Sequence, residues 1–133
     1  MSTTEMTGDN FESTLGSNDI VVLDCWASWC GPCRAFAPTF EAAAERHQGI
    51  VWGKLDTEAE QELASALAIR SIPTVMVFRQ GILLLRQAGA LPGSALDEIV
   101  EKVRSLDMDE VRKQIAEHEQ AHAEGRSDHD HEH

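Results

Sequence analysis

Hydrophobic and polar positions divide the first half of the chain into alternating strand-like and helix-like segments. Ile20–Trp26 is an apolar run interrupted by one acid, which is typical of a buried strand. A helix is predicted over residues 31–47, because Pro32 suits a first helical turn. A strand over residues 50–55 and a helix over residues 58–67 follow. This β-α-β-α order predicts parallel strand pairing.

The second half of the chain changes to an antiparallel pattern. Residues 74–78 and residues 82–85 are apolar runs joined through Gln80-Gly81, which predicts two strands and a tight turn. Pro92-Gly93-Ser94 then opens a helix whose apolar positions keep helical spacing, namely Leu96, Ile99, Val100 and Val103. We therefore assign the chain to the α/β class, with a mixed central sheet of parallel β-α-β units and an antiparallel hairpin, flanked by helices.

Local proline and capping signals refine the helices. Pro38 lies inside the first long helix and is expected to kink it, because proline lacks the N–H that a helix interior needs. Asp9 or Asn10 is predicted to cap a short helix that ends near Gly16. The polar residues 1–9 are expected to be loose.

A further helix is predicted at the C-terminal end, over about residues 107–124. Its apolar and histidine positions repeat at intervals of three and four residues, namely Met108, Val111, Ile115, His118 and His122. Gly125 follows, and the polar residues 126–133 are expected to be disordered. The chain is thus divided into a domain of residues 1–106 and an extension of residues 107–133. The apolar stripe of the extension is expected to dock on its own domain or on a second copy.

Charge argues against one class of function, and the N-terminal segment favours a compartment. The 133 residues carry a net charge of −12 and give an isoelectric point of about 4.7, so a nucleic-acid binder, which needs a basic face, is not expected. The apolar runs are too short to span a membrane, so no membrane partner is expected either. Met1-Ser2-Thr3 begins a segment without the basic and apolar regions of a secretory signal. A cytoplasmic location is expected.

Cys30-Gly31-Pro32-Cys33 is the motif that carries the chemistry. Two cysteines one helical turn apart form either a dithiol that cycles with a disulfide or half of a metal site. A structural zinc site needs four ligands, and outside the C-terminal histidines only Cys25 and His47 are left to complete one. We therefore expect a redox dithiol, with no metal at this site.

The two cysteines are predicted to have unequal roles because of where the helix begins. Cys30 lies at the junction of strand and helix, where free backbone N–H groups and the helix dipole favour its thiolate, so it is the expected nucleophile. Cys33, one turn further in, is the expected resolving thiol. Asp24 lies in an apolar strand, where burial should raise its pKa toward that of a useful base. Lys54 in the neighbouring strand is a candidate to pair with it.

Further residues flank this predicted site. Pro73 begins a strand and is a candidate for a cis peptide bond. Trp29 is a candidate contact surface, whereas Trp26 is expected in the core. Cys25 neighbours Asp24 and so points to the opposite face of the strand, where the role of a small buried hydrophobic side chain is favoured over that of a regulatory thiol.

These motifs together closely resemble the thioredoxin family. The matching motifs, in order, are Asp24, Trp26-Ala27-Ser28-Trp29-Cys30-Gly31-Pro32-Cys33, Pro38, Ile72-Pro73-Thr74, Gly81 and Ala88-Gly89-Ala90. The resemblance covers about residues 7–105, and it is specific because separate motifs agree in order and spacing.

The resemblance implies a thioredoxin fold with Pro73 in cis, and a protein-disulfide reductase that uses the Cys30–Cys33 pair with no further cofactor. It implies that Asp24 serves Cys33 and that Lys54 lies near this acid. It also implies protein disulfides as substrates and a thioredoxin reductase as the electron donor. Substrates are expected to dock by strand addition on a surface formed by Trp29, Gly31, Pro32, Ile72, Pro73, Ala88 and Gly89.

Two departures from the family pattern and an alternative function remain open. Ser71 stands where many thioredoxins have glycine, which bears on partner choice, and Cys25 replaces a usual aromatic residue. The alternative is a scaffold or chaperone-like binding module whose C-terminal helix and histidines recruit a partner or a metal. A solvated acidic tail is favoured over a metal site for those histidines, which are His118, His122, His129, His131 and His133.

Overall fold

The computed structural model describes the backbone of residues 2–131 and the side chains of residues 2–121. Between Val100 and Glu101 the chain divides into two compact units. No helix within the described backbone is both long and apolar enough to cross a membrane. The first unit contains the sheet and the residues of the predicted redox site.

The first unit is built on a five-stranded mixed sheet. Its strands in the described chain are β1 (Thr3–Glu5), β2 (Ile20–Trp26), β3 (Val51–Asp56), β4 (Thr74–Arg79) and β5 (Ile82–Ala88). They lie in the order β1-β3-β2-β4-β5, with β3 parallel to both β1 and β2. β4 is antiparallel to both β2 and β5. The predicted mixed sheet with its antiparallel hairpin is confirmed.

The helices follow the predicted order. They are α1 (Phe11–Ser17), α2 (Gly31–Arg46), α3 (Gln61–Ala66), α4 (Gly93–Ser105) and α5 (Met108–His131). The prediction for α3 began three residues too early. Asp56 Oδ1 accepts hydrogen bonds from the N–H groups of Glu58 (2.9 Å) and Ala59 (3.3 Å), so a side-chain turn occupies this segment before the helix begins.

The prediction that residues 1–9 are loose was wrong for β1. β1 pairs in register with β3, Thr4 opposite Gly53, and the Met6 N–H donates to the Lys54 carbonyl at 2.9 Å. The Met6 side chain is fully buried, in space that a Cβ at Gly53 would occupy. As a short edge strand, β1 can consist of polar residues. Backbone pairing with β3 and the burial of the Met6 side chain hold it in position.

The tight turn of the hairpin is confirmed. Arg79 pairs with Ile82, which leaves Gln80 and Gly81 as a two-residue connection. Both have positive φ, 53° and 78°, as a type I′ turn requires. Glycine adopts this conformation without steric cost, and the turn therefore fixes the register of β4 against β5.

The two faces of the sheet carry separate cores. One face packs against α1 and α3, in a cluster that includes Phe11, Leu23 and Ala64. The other face packs against α2, where the Phe40 ring meets the Trp52 ring edge-on with centroids 5.3 Å apart. Trp52 is the partner of Val22 in the register of β2 and β3. Alternate residues of β2 therefore point either into the first cluster or toward α2.

The second unit contains the end of α4 and all of α5. The Asp107 side chain accepts hydrogen bonds from the N–H groups of Asp109 (3.0 Å) and Glu110 (3.2 Å), so it caps α5 at the predicted start. The helix continues to His131, beyond the end expected near residue 124. A glycine such as Gly125 costs about 1 kcal/mol inside a helix, which does not by itself end one.

Candidate active site

Cys30 and Cys33 lie at the start of α2 and are joined as a disulfide, with their Cα atoms 5.2 Å apart. Cys30 is the N-cap residue, and its Sγ accepts a hydrogen bond from the Cys33 N–H at 3.2 Å. Both side chains are buried, at 5% and 2% exposure. The redox pair predicted from the motif is thus formed where the free N–H groups of a helix begin.

The edge of the sheet brings the other site segments toward this disulfide. Because β2 and β3 are parallel, the segments that follow them leave the same edge, and the Thr57 N–H donates to the Trp26 carbonyl at 2.9 Å. Cys30 Sγ lies 3.9 Å from the carbonyl oxygen of Ile72, which precedes β4. Cys30, Cys33 and Ala27 form a small core cluster with Ile72 packed against it.

Asp24 lies in the middle of β2 with its side chain fully buried. Neither carboxylate oxygen accepts a hydrogen bond from any group in the described part of the chain. Burial is the main cause that raises its pKa to about 6, and the charge of Glu41 raises it further, while the charge of Lys54 lowers it. Asp24 lies two residues after Val22 in β2, so the two side chains are on the same face of the sheet. This is the face that packs against α2, the helix that carries Cys33.

Lys54 pairs with Asp24 in the register of β2 and β3. Its Nζ lies 4.0 Å from Asp24 Oδ2, and the ammonium group also lies over the Trp26 ring, 5.3 Å from the ring centroid. This distance is at the limit of an ion pair, so Lys54 offsets only part of the desolvation of the buried carboxylate. The arrangement leaves a carboxyl group that can bind and release a proton near neutral pH.

Trp29 is the exposed aromatic side chain beside the disulfide. It is 65% exposed, and its indole N–H donates to Glu58 Oε1 at 2.6 Å. Gly31 and Pro32 are exposed on the same turn. The hydrogen bond holds the indole in one orientation, so that an apolar ring face stays presented to solvent next to the dithiol.

Ile72 and Pro73 are joined by a cis peptide bond, as the resemblance implied. The Pro73 carbonyl accepts a hydrogen bond from the Gly89 N–H at 2.8 Å, and Ala88 lies opposite Thr74 in the hairpin. The structure therefore brings the Ile72-Pro73 segment and the Ala88-Gly89 segment side by side. Between Trp29 and Ile72 lies a shallow groove of about 180 Å³, lined by Trp29, Thr57, Ile69, Arg70, Ser71 and Ile72.

Sequence reasoning missed Glu58, which it placed at the start of a helix. The available signal was positional, because Glu58, two residues after β3, leaves the sheet at the same edge as Trp29, three residues after β2. It also missed the contact of Arg34, whose guanidinium donates to the Ser28 carbonyl at 2.7 Å and ties α2 to the preceding loop.

Cys25 lies on the opposite face of β2 from Asp24, within the core cluster next to α1 and α3. It is fully buried and is a free thiol. Burial, together with the charge of Asp24, raises the pKa of this thiol to about 12. A neutral thiol in this position is a core residue and not a nucleophile.

Metal ligands are not clustered in the part of the chain whose side chains are described. No group of three or more histidine, cysteine or acidic side chains there could hold a metal ion. Four of the histidines considered above, His122, His129, His131 and His133, have side chains outside the described ones.

The comparisons with known proteins agree with this site. The thioredoxin family model matches residues 2–102. The chain is 51% identical over 116 residues to a protein named putative thioredoxin 2 of Streptomyces coelicolor, covering 87% of each chain. It is 38% identical over 104 residues to a thioredoxin of Porphyra purpurea, covering 77% of this chain and 97% of that protein.

Solved structures show the same likeness. A thioredoxin from Halobacterium salinarum superimposes with a TM-score of 0.72 at 31% identity, over 77% of this chain and 91% of that chain. Spinach chloroplast thioredoxin f gives a TM-score of 0.71 at 34% identity, over 77% and 94% of the two chains. The fold, the disulfide at the start of α2 and these relatives lead to one conclusion. The chain belongs to the thioredoxin family and is a thiol-disulfide oxidoreductase.

Proposed function

We propose that this oxidoreductase works as a reductant of protein disulfides, with Cys30 as nucleophile and Cys33 as resolving thiol. The observation that carries the proposal is the position of the disulfide, at a helix N-terminus and between an exposed Trp29 and the Ile72-Pro73 segment. A substrate segment that rests on this surface brings its own disulfide to the sulfur of Cys30.

In the first step of the proposed reaction the reduced Cys30 thiolate attacks one sulfur of the substrate disulfide. A bond forms between Cys30 Sγ and that sulfur, the substrate S–S bond breaks, and the other substrate sulfur leaves as a thiolate. The Cys33 N–H, which lies 3.2 Å from Cys30 Sγ, and the dipole of α2 stabilise negative charge on Cys30 before the attack.

In the second step Cys33 attacks Cys30 Sγ and releases the substrate. The Cys33 thiol first gives its proton to Asp24, the Cys30–Cys33 bond forms, and the second substrate sulfur leaves as a thiolate. The substrate has then gained two electrons and this chain has lost two. The support for Asp24 is its burial on the sheet face that α2 covers and its pKa of about 6, which leaves it mostly ionised and able to accept a proton at pH 7. We propose that Lys54 tunes this pKa by its charge.

The proposed docking surface consists of Trp29, Gly31, Pro32, Ile72, Pro73, Ala88 and Gly89. The exposure of Trp29 and the hydrogen bond between Gly89 and Pro73, which joins two of the segments, support it. An extended substrate segment would add to the backbone of this surface as an extra strand.

We propose a thioredoxin reductase as the source of the electrons and the cytoplasm as the compartment, since a reductant must be recharged by a donor that keeps thiols reduced. The proposed chemistry needs no cofactor beyond the cysteine pair.

A second proposed contact is between copies of the chain, through the stripe on α5 in which Val111 is half-buried and Ile115 is 36% exposed. Sedimentation of the full chain and of residues 1–106 measures that self-association directly.

Reduction of insulin, driven by dithiothreitol or by a thioredoxin reductase with NADPH, tests the proposed function. We expect rapid reduction by the native chain and none by Cys30→Ser. Cys33→Ser is expected to accumulate a mixed disulfide with the substrate, because the resolving thiol is absent. Cys25→Ala is the matched control, since it removes a thiol on the other face of β2, and it should retain activity. A native chain that leaves insulin oxidised would refute the proposal.

A further inference from the structure

The groove beside Trp29 contains one formal charge. Of its lining residues, Trp29, Ile69 and Ile72 are apolar, Thr57 and Ser71 are neutral, and Arg70 carries a guanidinium. Apolar and neutral polar side chains therefore line most of the groove, and Arg70 is the single charged residue of the lining. Such a group is where a docking surface can discriminate between substrates.

Arg70 differs from the other basic residues of the first unit. Arg34 donates to the Ser28 carbonyl, and Arg86 Nη1 lies 3.4 Å from the Ala68 carbonyl. Ion pairs hold the remaining three, Arg46 with Asp97, Lys54 with Asp24 and Arg79 with Asp19. The exposed Arg70 guanidinium makes no hydrogen bond or ion pair with any side chain or backbone group in the described part of the chain. Its five N–H donors are free for a carboxylate, which they can bind in a bidentate manner.

Arg70 is joined to the disulfide site through the groove that both share with Ile72. Ile72, two residues along the chain, lines the same groove and has its carbonyl oxygen 3.9 Å from Cys30 Sγ. An extended substrate segment advances about 3.3 Å per residue. Arg70 precedes Ile72 by two residues, so the substrate side chain expected to meet the guanidinium is one two or three positions from the attacked cysteine.

The charge of the whole chain makes this local charge selective. The chain carries a net charge of −12, so acidic substrates are repelled at long range. Arg70 is the one charged residue among those that line the docking groove, and its guanidinium attracts a carboxylate at short range. On this basis, and resting on the proposed docking of substrates at this surface, we propose that Arg70 is a specificity-determining residue that selects substrates with a carboxylate two or three positions from the disulfide cysteine.

Paired peptide substrates test this inference. Two disulfide peptides identical except for Glu or Lys two positions from the cysteine are reduced by the pre-reduced chain in stopped flow. The native chain is expected to reduce the Glu peptide about three- to fivefold faster at low ionic strength, and the preference should shrink in salt. Arg70→Gln should lower the ratio of the Glu rate to the Lys rate to one or below, since the net negative charge of the chain then acts without Arg70, and Arg70→Glu should lower it further.

The ratio of rates is measured on one protein at a time, so differences in folding between variants cancel. Arg46→Gln is the matched control, because it removes the same charge about 20 Å away, at the other end of α2. It should keep the native ratio. Equal rates for the two peptides with the native chain, or an unchanged ratio in Arg70→Glu, would overturn the role of Arg70 while leaving the reductase intact. A native chain that reduces neither peptide would overturn the proposed function and this inference with it.

Discussion

At the scale of single residues, Asp24 is the most consequential group because it is charged, buried and without hydrogen bonds from the described chain. Desolvation raises the pKa of Asp24 above its value in an unfolded chain. The charge of Lys54, whose Nζ lies 4.0 Å from Asp24 Oδ2, lowers this pKa but offsets only part of the rise. A buried carboxylate without hydrogen bonds costs free energy of folding when it is ionised. Such a cost at a redox site is what a proton-transfer role would require.

Asp24→Asn is expected to stabilise the folded chain at pH 7 by about 3 kcal/mol, since a rise in pKa from 3.8 to about 6 corresponds to that free energy. The sign follows from proton binding. Between pH 4 and pH 6 the folded state holds a proton that the unfolded state has lost, so the stability of the native chain falls as pH rises through this window.

Urea denaturation of both proteins from pH 4 to pH 8 measures this effect. The advantage of Asp24→Asn should be small at pH 4, grow up to about pH 6, and stay constant above it. A variant that is less stable than the native chain at pH 7, or an advantage independent of pH, would show that burial of the charge is not what limits stability.

Cys25 is expected to resist alkylation in the folded chain, because it is fully buried and its pKa is raised to about 12. With the Cys30–Cys33 disulfide intact, iodoacetamide at pH 8 should modify Cys25 about a thousandfold more slowly in buffer than in guanidinium chloride, since reaction requires local opening. Mass spectrometry counts the adducts. Comparable rates in the two solvents would contradict the neutral buried thiol.

At the scale of elements, α3 ends in a Schellman motif that lacks the usual glycine. The Ile69 N–H donates to the Ala64 carbonyl and the Ala68 N–H to the Ser65 carbonyl, each at 3.0 Å. Ala68 has a φ of 55°, in the left-handed region that disfavours a Cβ. The helix end is therefore formed correctly but with a strained residue.

Ala68→Gly is expected to raise the free energy of unfolding by about 0.5–1 kcal/mol. Glycine removes the steric cost of a left-handed backbone in the folded state, and the greater entropy that it gives the unfolded chain offsets part of this stabilisation. Ala66→Gly, at the last residue of α3 and two residues before Ala68, is the matched control. It should lower the free energy of unfolding by about 1 kcal/mol. Urea denaturation at fixed pH compares the three proteins. A loss of stability in Ala68→Gly would contradict the strain.

Elements with a strong internal pattern were predictable from the sequence, and elements held by partners were not. β2 carries a continuous apolar run, and Gln80-Gly81 allows few connections other than a tight turn. β1 has no such pattern, because its three residues are held by pairing with β3 and by the burial of Met6. The same holds for the site: Cys30 and Cys33 follow from a local motif, whereas the contact of Trp29 with Glu58 depends on two strands ending together.

At the scale of the whole molecule, the family match ends at residue 102, close to the division between the two units after Val100. The site described above lies entirely in the first unit. The second unit adds charge and a capped helix, and in it Val103 and Met108 are buried. Activity and stability should therefore respond differently to loss of the extension.

Removal of residues 107–133 is expected to leave the rate of insulin reduction unchanged and to lower the free energy of unfolding by about 2 kcal/mol, the value of one buried apolar side chain such as Met108. Met108→Ala in the full chain is the control for that loss. Insulin turbidity and urea denaturation measure the two properties. Loss of activity in a folded chain of residues 1–106 would assign a catalytic role to the extension.

Trp29 also has an optical consequence. The sequence contains three tryptophans, of which Trp52 is fully buried and Trp26 half-buried, so a soluble fluorescence quencher reaches Trp29 first. The emission that such a quencher removes comes mainly from the ring beside the disulfide. A substrate that covers this ring shields it from the quencher. Substrate binding can therefore be followed in the unlabelled protein by its intrinsic tryptophan fluorescence.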